Sequence, residues 1–416
     1  MSNSSRKGLG LTTFINYLSF VLAGIDMSIL AQYKTQLALQ WTGKATDVAS
    51  AYYVIGAIGL GGLISSIFTG PISDFFGHRL SALIGAFGFA IFAFGIIWSP
   101  TQAWGYFFAM VCGIANSFMS ASVIPVLIDT YPKSGSIVTM MTKFFVSVGQ
   151  FLLPVIMWFV AKQHMSFHAT FWLLGIVTVI TGIFFFFVKF PHEPNAQERK
   201  EWREQQAAQR AKNKAEGKAS FPVTAEAISI MLIGFTSFAS FNLWANCYQE
   251  LATSYGVAQP QWLQQIYAIC SLIGVLFNSF IIKKGFHESY ILIIYPLITA
   301  CSLLLALIPN ASLLYVVAGL IGFFAASGLM QLATALMSYL YPDYKGTTTS
   351  LVSGLMVGLA SYGCTSIAGM FMANYGAHGG PRAIVIFNVV ITLIGSLLAC
   401  IVRRGEKKRE AETANK

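Results

Sequence analysis

Twelve apolar runs of roughly twenty residues recur along this 416-residue chain. They fall near 9–32, 48–72, 80–98, 103–128, 136–160, 169–190, 225–248, 262–282, 289–308, 312–339, 348–374 and 382–402. A helix rises about 1.5 Å per residue, so about 20 residues cross the roughly 30 Å hydrocarbon core of a bilayer. The strands of a membrane barrel would instead alternate apolar and polar positions over about 10 residues. Only 10% of the chain is charged, against about 25% in a soluble globular protein. The expected fold class is therefore an all-α membrane protein with twelve transmembrane helices. The first run follows Arg6 and Lys7 as a signal peptide would. No small-residue cleavage pattern comes after it, and it is read as a retained span.

One long polar stretch, from Pro191 to Pro222, divides the runs six and six. The expected organisation is a six-helix bundle over 1–190, a cytoplasmic linker over 191–222, a second bundle over 223–402 and a cytoplasmic tail over 403–416. The linker mixes Glu with Lys and Arg, which suits either a solvated connector or an amphipathic surface helix. Of the 26 basic residues, 21 fall on the side of the termini and only Lys34, Lys44, Lys162 and Arg382 on the other; Lys143 lies within a span. That asymmetry puts both termini in the cytoplasm. It also explains the net charge of +10 by attraction to the anionic leaflet rather than to nucleic acid. The six cysteines all lie in apolar runs without metal-ligand or CxxC spacing, as buried free thiols do.

The halves echo each other. Gly113-Ile-Ala-Asn-Ser-Phe leads to Tyr131-Pro-Lys-Ser-Gly, and Gly322-Phe-Phe-Ala-Ala-Ser leads to Tyr341-Pro-Asp-Tyr-Lys-Gly, both at the end of the fourth span of their half. Between spans 2 and 3 stands Gly70-x-x-x-Asp74-x-x-Gly77-His78-Arg79. This stretch resembles the signature loop of the major facilitator superfamily, and the degenerate Lys283-Lys284-Gly285 resembles its counterpart in the second half. The resemblance implies two pseudo-symmetric six-helix bundles that alternate access to a midplane site. It implies a conformational latch at Gly70, Asp74, Gly77 and Arg79, with Asp74 beside the start of span 11 near Thr347–Thr349 and Arg79 orienting it. The run from Gly113 to Pro154, together with Gly328–Gly346, resembles a bacterial permease group often encoded beside quinate/shikimate dehydrogenases. A cyclic or aromatic carboxylic acid is the implied substrate. Two patterns of the superfamily are missing. Val146–Pro154 lacks the motif of drug/proton antiporters, and Ala109-Met110 stands where many proton-coupled members carry a buried Arg.

Ionisable residues deep in a bilayer are costly, by about 2.5–3.5 kcal/mol on insertion scales, and so point to function. Asp26 is the one acidic residue far inside a span. It suits a proton-coupling carboxyl, or a structural one bonded to backbone or facing a wet outer vestibule. Asp129, Glu226 and Glu250 sit near span ends, within reach of water. Lys143 can anchor a substrate carboxylate or snorkel to the membrane surface. On span 7, Asn242, Asn246 and Gln249 share a face, with Trp244 nearby. Asn116, Gln150, Gln331 and Tyr362 join the candidate substrate-binding set on the spans that line the cavity of the superfamily. Gly56, Gly59, Gly61 and Gly62 on span 2 and Gly354 and Gly358 on span 11 permit close packing.

Walker, HExxH and GxSxG patterns are missing, which excludes ATP-driven pumping and the common hydrolytic chemistries. The expected function is proton-coupled symport of a small organic acid. The alternative is export or facilitated passage of neutral or cationic compounds, with Asp26 holding the ligand. No cofactor is expected; the transmembrane proton gradient drives transport. The expected partners are a small-molecule substrate and the lipid bilayer, with no nucleic acid, the chain acting as a monomer in a bacterial inner membrane.

Overall fold

The computed structural model describes residues 3–131, 135–190, 197, 204, 224–341 and 350–414. Among them every regular element is helical. Hydrocarbon offers no partner to a bare peptide group, so a chain this apolar must satisfy its backbone within helices. Spans 1 to 6 are Asn3–Gln32, Val48–Ser65, His78–Trp98, Gln102–Thr130, Gly135–Lys162 and His168–Phe187. Spans 7 to 9 are Ala225–Ser254, Gln261–Lys283 and Glu288–Leu305. Span 10 comes in two segments, Ala311–Phe324 and Leu329–Leu340. Spans 11 and 12 run over 350–375 and 377–414, joined by the single non-helical residue Gly376 at φ 65°. The alternating direction of the spans defines a terminal face, which carries both chain ends, and a far face.

Local chemistry sets the ends. Thr224 accepts the Ala227 amide at the start of span 7, and Asn310 accepts those of Ser312 and Leu313 at the start of span 10, in each case satisfying donors that a helix start leaves free. The expected second span, 48–72, is shorter here. The Ser65 and Ser66 hydroxyls turn back onto the carbonyls of Gly62 and Leu63, the helix stops, and Thr69–Phe76 forms a separate short helix. Gly77 follows at φ 100°, a conformation that suits only glycine. Gly70 lies inside that short helix with open space beyond its α-carbon. The helix of span 12 continues to Ala414, through the stretch read as the tail.

One apolar core is built wholly from residues between Ile15 and Val188. A second joins Ala239–Ile391 to Val48, Ala49 and Tyr52 of span 2, and a third lies within 227–402. Between the halves, span 2 packs on span 11 and span 5 on span 8. The first contact runs the length of the helices. Gly369 sits against Tyr52 and Tyr53 towards the far face, Gly59 against Ser361 and Tyr362 in the middle, and Gly354 against Ser66 towards the terminal face. Span 11 is wound more loosely than an α-helix over Ser350–Met356 and Ala360–Cys364. Wide turns of this type inside helices concentrate at functional sites.

Span 10 breaks at Ala325–Gly328, with Gly328 at φ 103°. Side chains take up the carbonyls that the break releases. Ser271 donates to Ala326 at 3.0 Å, and Asn278 donates to the Ser327 carbonyl at 3.0 Å and its hydroxyl at 2.9 Å. Tyr295 of span 9 donates to Asn278 Oδ1 at 2.7 Å.

Candidate functional site

Lys143 does not snorkel. It projects from span 5 across the divide between the halves, with its ammonium 4.9 Å from the centre of the Phe241 ring on span 7. Phe238 stands edge-on to Phe241 at 4.9 Å. No carboxylate among the described residues pairs with Lys143. A cation held over an aromatic face, within a low-dielectric wall and without a counter-charge, is suited to a flat anionic guest.

The neighbouring candidates fall into pairs. Gln150 of span 5 donates to Ser28 of span 1 at 3.4 Å, and Asn242 of span 7 to Thr365 of span 11 at 3.3 Å. Tyr362, in the second wide turn of span 11, lies near Tyr106 of span 4 across the divide. Asn116 and Gln331 are partly buried and make no side-chain hydrogen bond with another described residue. Trp244 is different. It is 1% exposed, tilted against Tyr248 at 6.5 Å, and belongs to the core of the second half. Two residues along a helix are about 200° apart, so Trp244 cannot share a face with Asn242 and Asn246.

Asp26 is fully buried in the first half, and neither carboxyl oxygen has a hydrogen-bond partner. Cys112 of span 4 lies near it. Its side of span 1 is opposite to Gly24, which lies on Val146 of span 5. Asp26 therefore lies apart from Lys143, in a dry interior rather than a vestibule.

The expected latch is only partly visible. Arg79 donates to the Val188 carbonyl at 3.2 Å and lies over Phe190 at 5.6 Å, at the end of span 6. Ser73 bonds to His78 Nδ1 at 2.9 Å. The Asp74 side chain and Thr347–Thr349 lie outside the described residues.

Hydrogen bonds between the halves gather instead near the far face. Lys34 opens a short helix, Lys34–Thr42, after span 1. It pairs with Glu250 of span 7 at 2.9 Å, donates to the Asn246 carbonyl, and lies 4.7 Å from the centre of the Tyr52 ring. Tyr52 donates to the same carbonyl at 2.7 Å and to Glu250 at 3.3 Å. Tyr248 and Gln249 both donate to Gln32 Oε1 at 2.8 Å. Asn246 thus serves this closure through its backbone. The Lys34 side chain is 1% exposed and the Glu250 side chain 11%, so the water-exposed setting expected for Glu250 is corrected. The sequence signal was present but unused: Lys34 and Glu250 carry opposite charges near matching ends of the first span of each half.

The chain matches the profile of the Major Facilitator Superfamily over residues 9–361 and again over 230–416. It belongs to the Major Facilitator Superfamily. It is 28% identical over 396 residues to the uncharacterized MFS-type transporter YfkL of Bacillus subtilis, covering 94% of this chain and 96% of that one. It is 27% identical over 400 residues to the inner membrane transport protein YdiM of Escherichia coli, covering 94% of each. The fold is shared with the D-xylose-proton symporter at a TM-score of 0.74 and 18% identity, covering 95% of this chain and 97% of that one. It is shared also with the inward-open xylose transporter XylE of E. coli at a TM-score of 0.71 and 18% identity, covering 94% of each. This superfamily member is a multi-pass secondary transporter and not an enzyme.

Proposed function

We propose that this transporter carries a small cyclic or aromatic carboxylic acid together with protons, by alternating access between its two bundles. The orientation of Lys143 carries the proposal: an ammonium with no carboxylate partner among the described residues, laid on Phe241 of the opposite half. A substrate carboxylate completes the charge, and its ring is received by Phe241 and Phe238. Asn242, Gln150 and Tyr362 supply hydrogen bonds from both halves. The resemblance to the permease group noted above supports the same substrate class. Asp26 is the proposed proton carrier, because a buried carboxyl without a hydrogen-bond partner can take up a proton without disturbing any other contact. The basic residues on the terminal face support a cytoplasmic position for the termini, and the far face is then external. Asp26 holding a cationic ligand gains no support, since it faces the interior of the first bundle.

Lys143→Ala tests this reading. A charge-assisted hydrogen bond contributes about 1.5–3 kcal/mol, so acid ligands should bind roughly tenfold to a hundredfold more weakly. Neutral analogues should be little affected, as measured by binding to purified protein. Equal losses for acids and neutral analogues would sink the anchor role.

A further inference from the structure

The outer edge of the second bundle joins two apolar faces to a group of cations. On span 12, Leu393, Leu397 and Ile401 are exposed, and Arg404 and Lys408 continue the same stripe at spacings of three or four residues. The stripe thus passes from hydrocarbon into the terminal face. Span 9 lies beside it. Ser396 donates to the Ile293 carbonyl at 2.9 Å, and the Arg403 guanidinium lies 4.8 Å from the centre of the Tyr290 ring. Ile294 and Leu297, one and two turns beyond Tyr290, are exposed as well. Spans 9 and 12 therefore wall an apolar furrow that ends at the terminal face in Arg403, Arg404 and Lys407. Lys407 stands one turn after Arg403, on the side of span 12 that meets span 9.

The loop after span 8 brings more positive charge to this place. Lys283 and Lys284 close span 8. Gly285 reverses the chain at φ 88°, and the Phe286 amide returns to the Ile281 carbonyl at 3.1 Å. Phe286 then lies 6.0 Å from Tyr290, the ring that Arg403 covers. The Lys284 ammonium is 4.5 Å from the centre of the exposed Phe280 ring, so its charge stands at the margin of the apolar zone. Among the described side chains Lys283, Lys284, Arg403, Arg404, Lys407 and Lys408 outnumber the carboxylates Glu226, Glu288 and Glu406 around them. Arg403 takes Glu406 at 3.2 Å. We propose that this edge binds an anionic phospholipid, its phosphate held by Lys284, Arg404 and Lys407 and its acyl chains laid along spans 9 and 12. Basic clusters where helices leave the membrane recognise such headgroups. A zwitterionic lipid fills the furrow without answering the charge, and a soluble phosphate answers the charge without filling the furrow. The site rests on neither the substrate nor the proton carrier proposed above.

Native mass spectrometry of the purified full chain measures the binding of phosphatidylglycerol against phosphatidylcholine with the same acyl chains. Phosphatidylglycerol should bind more tightly. Arg404→Gln/Lys407→Gln should weaken it roughly tenfold to thirtyfold, taking about a fivefold effect for each cation near an anionic surface. Its affinity for phosphatidylcholine and its melting temperature without lipid should stay at the wild-type values. Lys44→Gln/Lys162→Gln removes the same charge from exposed positions on the far face and should leave phosphatidylglycerol binding unchanged. Phosphatidylglycerol with a photoreactive acyl chain should attach to spans 9 and 12 of the wild-type protein. Equal affinity for the two lipids, equal losses in the two double variants, or attachment spread evenly over all spans would overturn the assignment. Full displacement of the lipid by millimolar glycerol phosphate would also overturn it, by giving the cations to a soluble anion.

Discussion

Two glycines on span 2 separate motion between the bundles from stability within one. A β-carbon on Gly59 would lie 2.6 Å from Ser361 Cβ and Oγ and would also strike the Tyr362 amide, all on span 11 of the other half. A β-carbon on Gly61 would strike the Met110 carbonyl, 2.9 Å from its carbon, on span 4 of the same half. Ordinary contact begins near 3.4 Å, so the helices must part by about an ångström or more in each case. Overpacking of this kind costs about 1–3 kcal/mol. In Gly59→Ala a rotation of one half against the other relieves the clash. A penalty of about 2 kcal/mol then shifts the balance between conformations by roughly thirtyfold. In Gly61→Ala both partners belong to one bundle, and no rocking motion separates them. The melting temperature should fall by roughly 4–8 °C, taking about 2–4 °C per kcal/mol for a unit of this size. Spin labels at exposed Leu39 and exposed Thr253, read by pulsed distance measurement, report the conformational balance, and thermal unfolding of the purified protein reports stability. Equal melting losses in both variants, with unchanged distance distributions, would refute the division of the span 2 surface between motion and stability.

Asp26→Asn should abolish uphill accumulation of acid substrate in proteoliposomes while leaving exchange of substrate for substrate intact; uphill transport at the wild-type level would remove Asp26 from coupling. Trp244→Ala should cost about 3–5 kcal/mol of stability, as deletion of a buried large side chain does. Substrate affinity per folded molecule should stay the same, and a selective loss of binding at full stability would return Trp244 to the site.

The spans were legible because bilayer thickness sets the length of an apolar run. Their interruptions were not. The apolar run over 312–339 is continuous, and its break at Ala325–Gly328 depends on Ser271, Asn278 and Tyr295, which belong to other helices. Lys143 stood out as a lone cation inside a span, but its direction depends on how span 5 is rotated against span 7. Trp244 was grouped with Asn242 by closeness in sequence, where the helical turn separates them. The Lys34–Glu250 pair joins residues 216 apart through the docking of two bundles, and no local pattern encodes such docking.

The broken tenth span bears on how the chain is assembled. Segments of 14 and 12 residues are about 21 and 18 Å long, and neither crosses a bilayer alone. Entering the membrane by itself, this region is better served as one straight helix, because exposed carbonyls in hydrocarbon have no partners. Its creased form becomes favourable only when the Ser271 hydroxyl and the Asn278 amide are already waiting. Both lie upstream on span 8, and Tyr295, which orients Asn278, lies on span 9. The order of synthesis therefore delivers the receptor for the crease before the crease itself. Circular permutation that places span 10 ahead of span 8 would remove that order while keeping every contact of the finished protein.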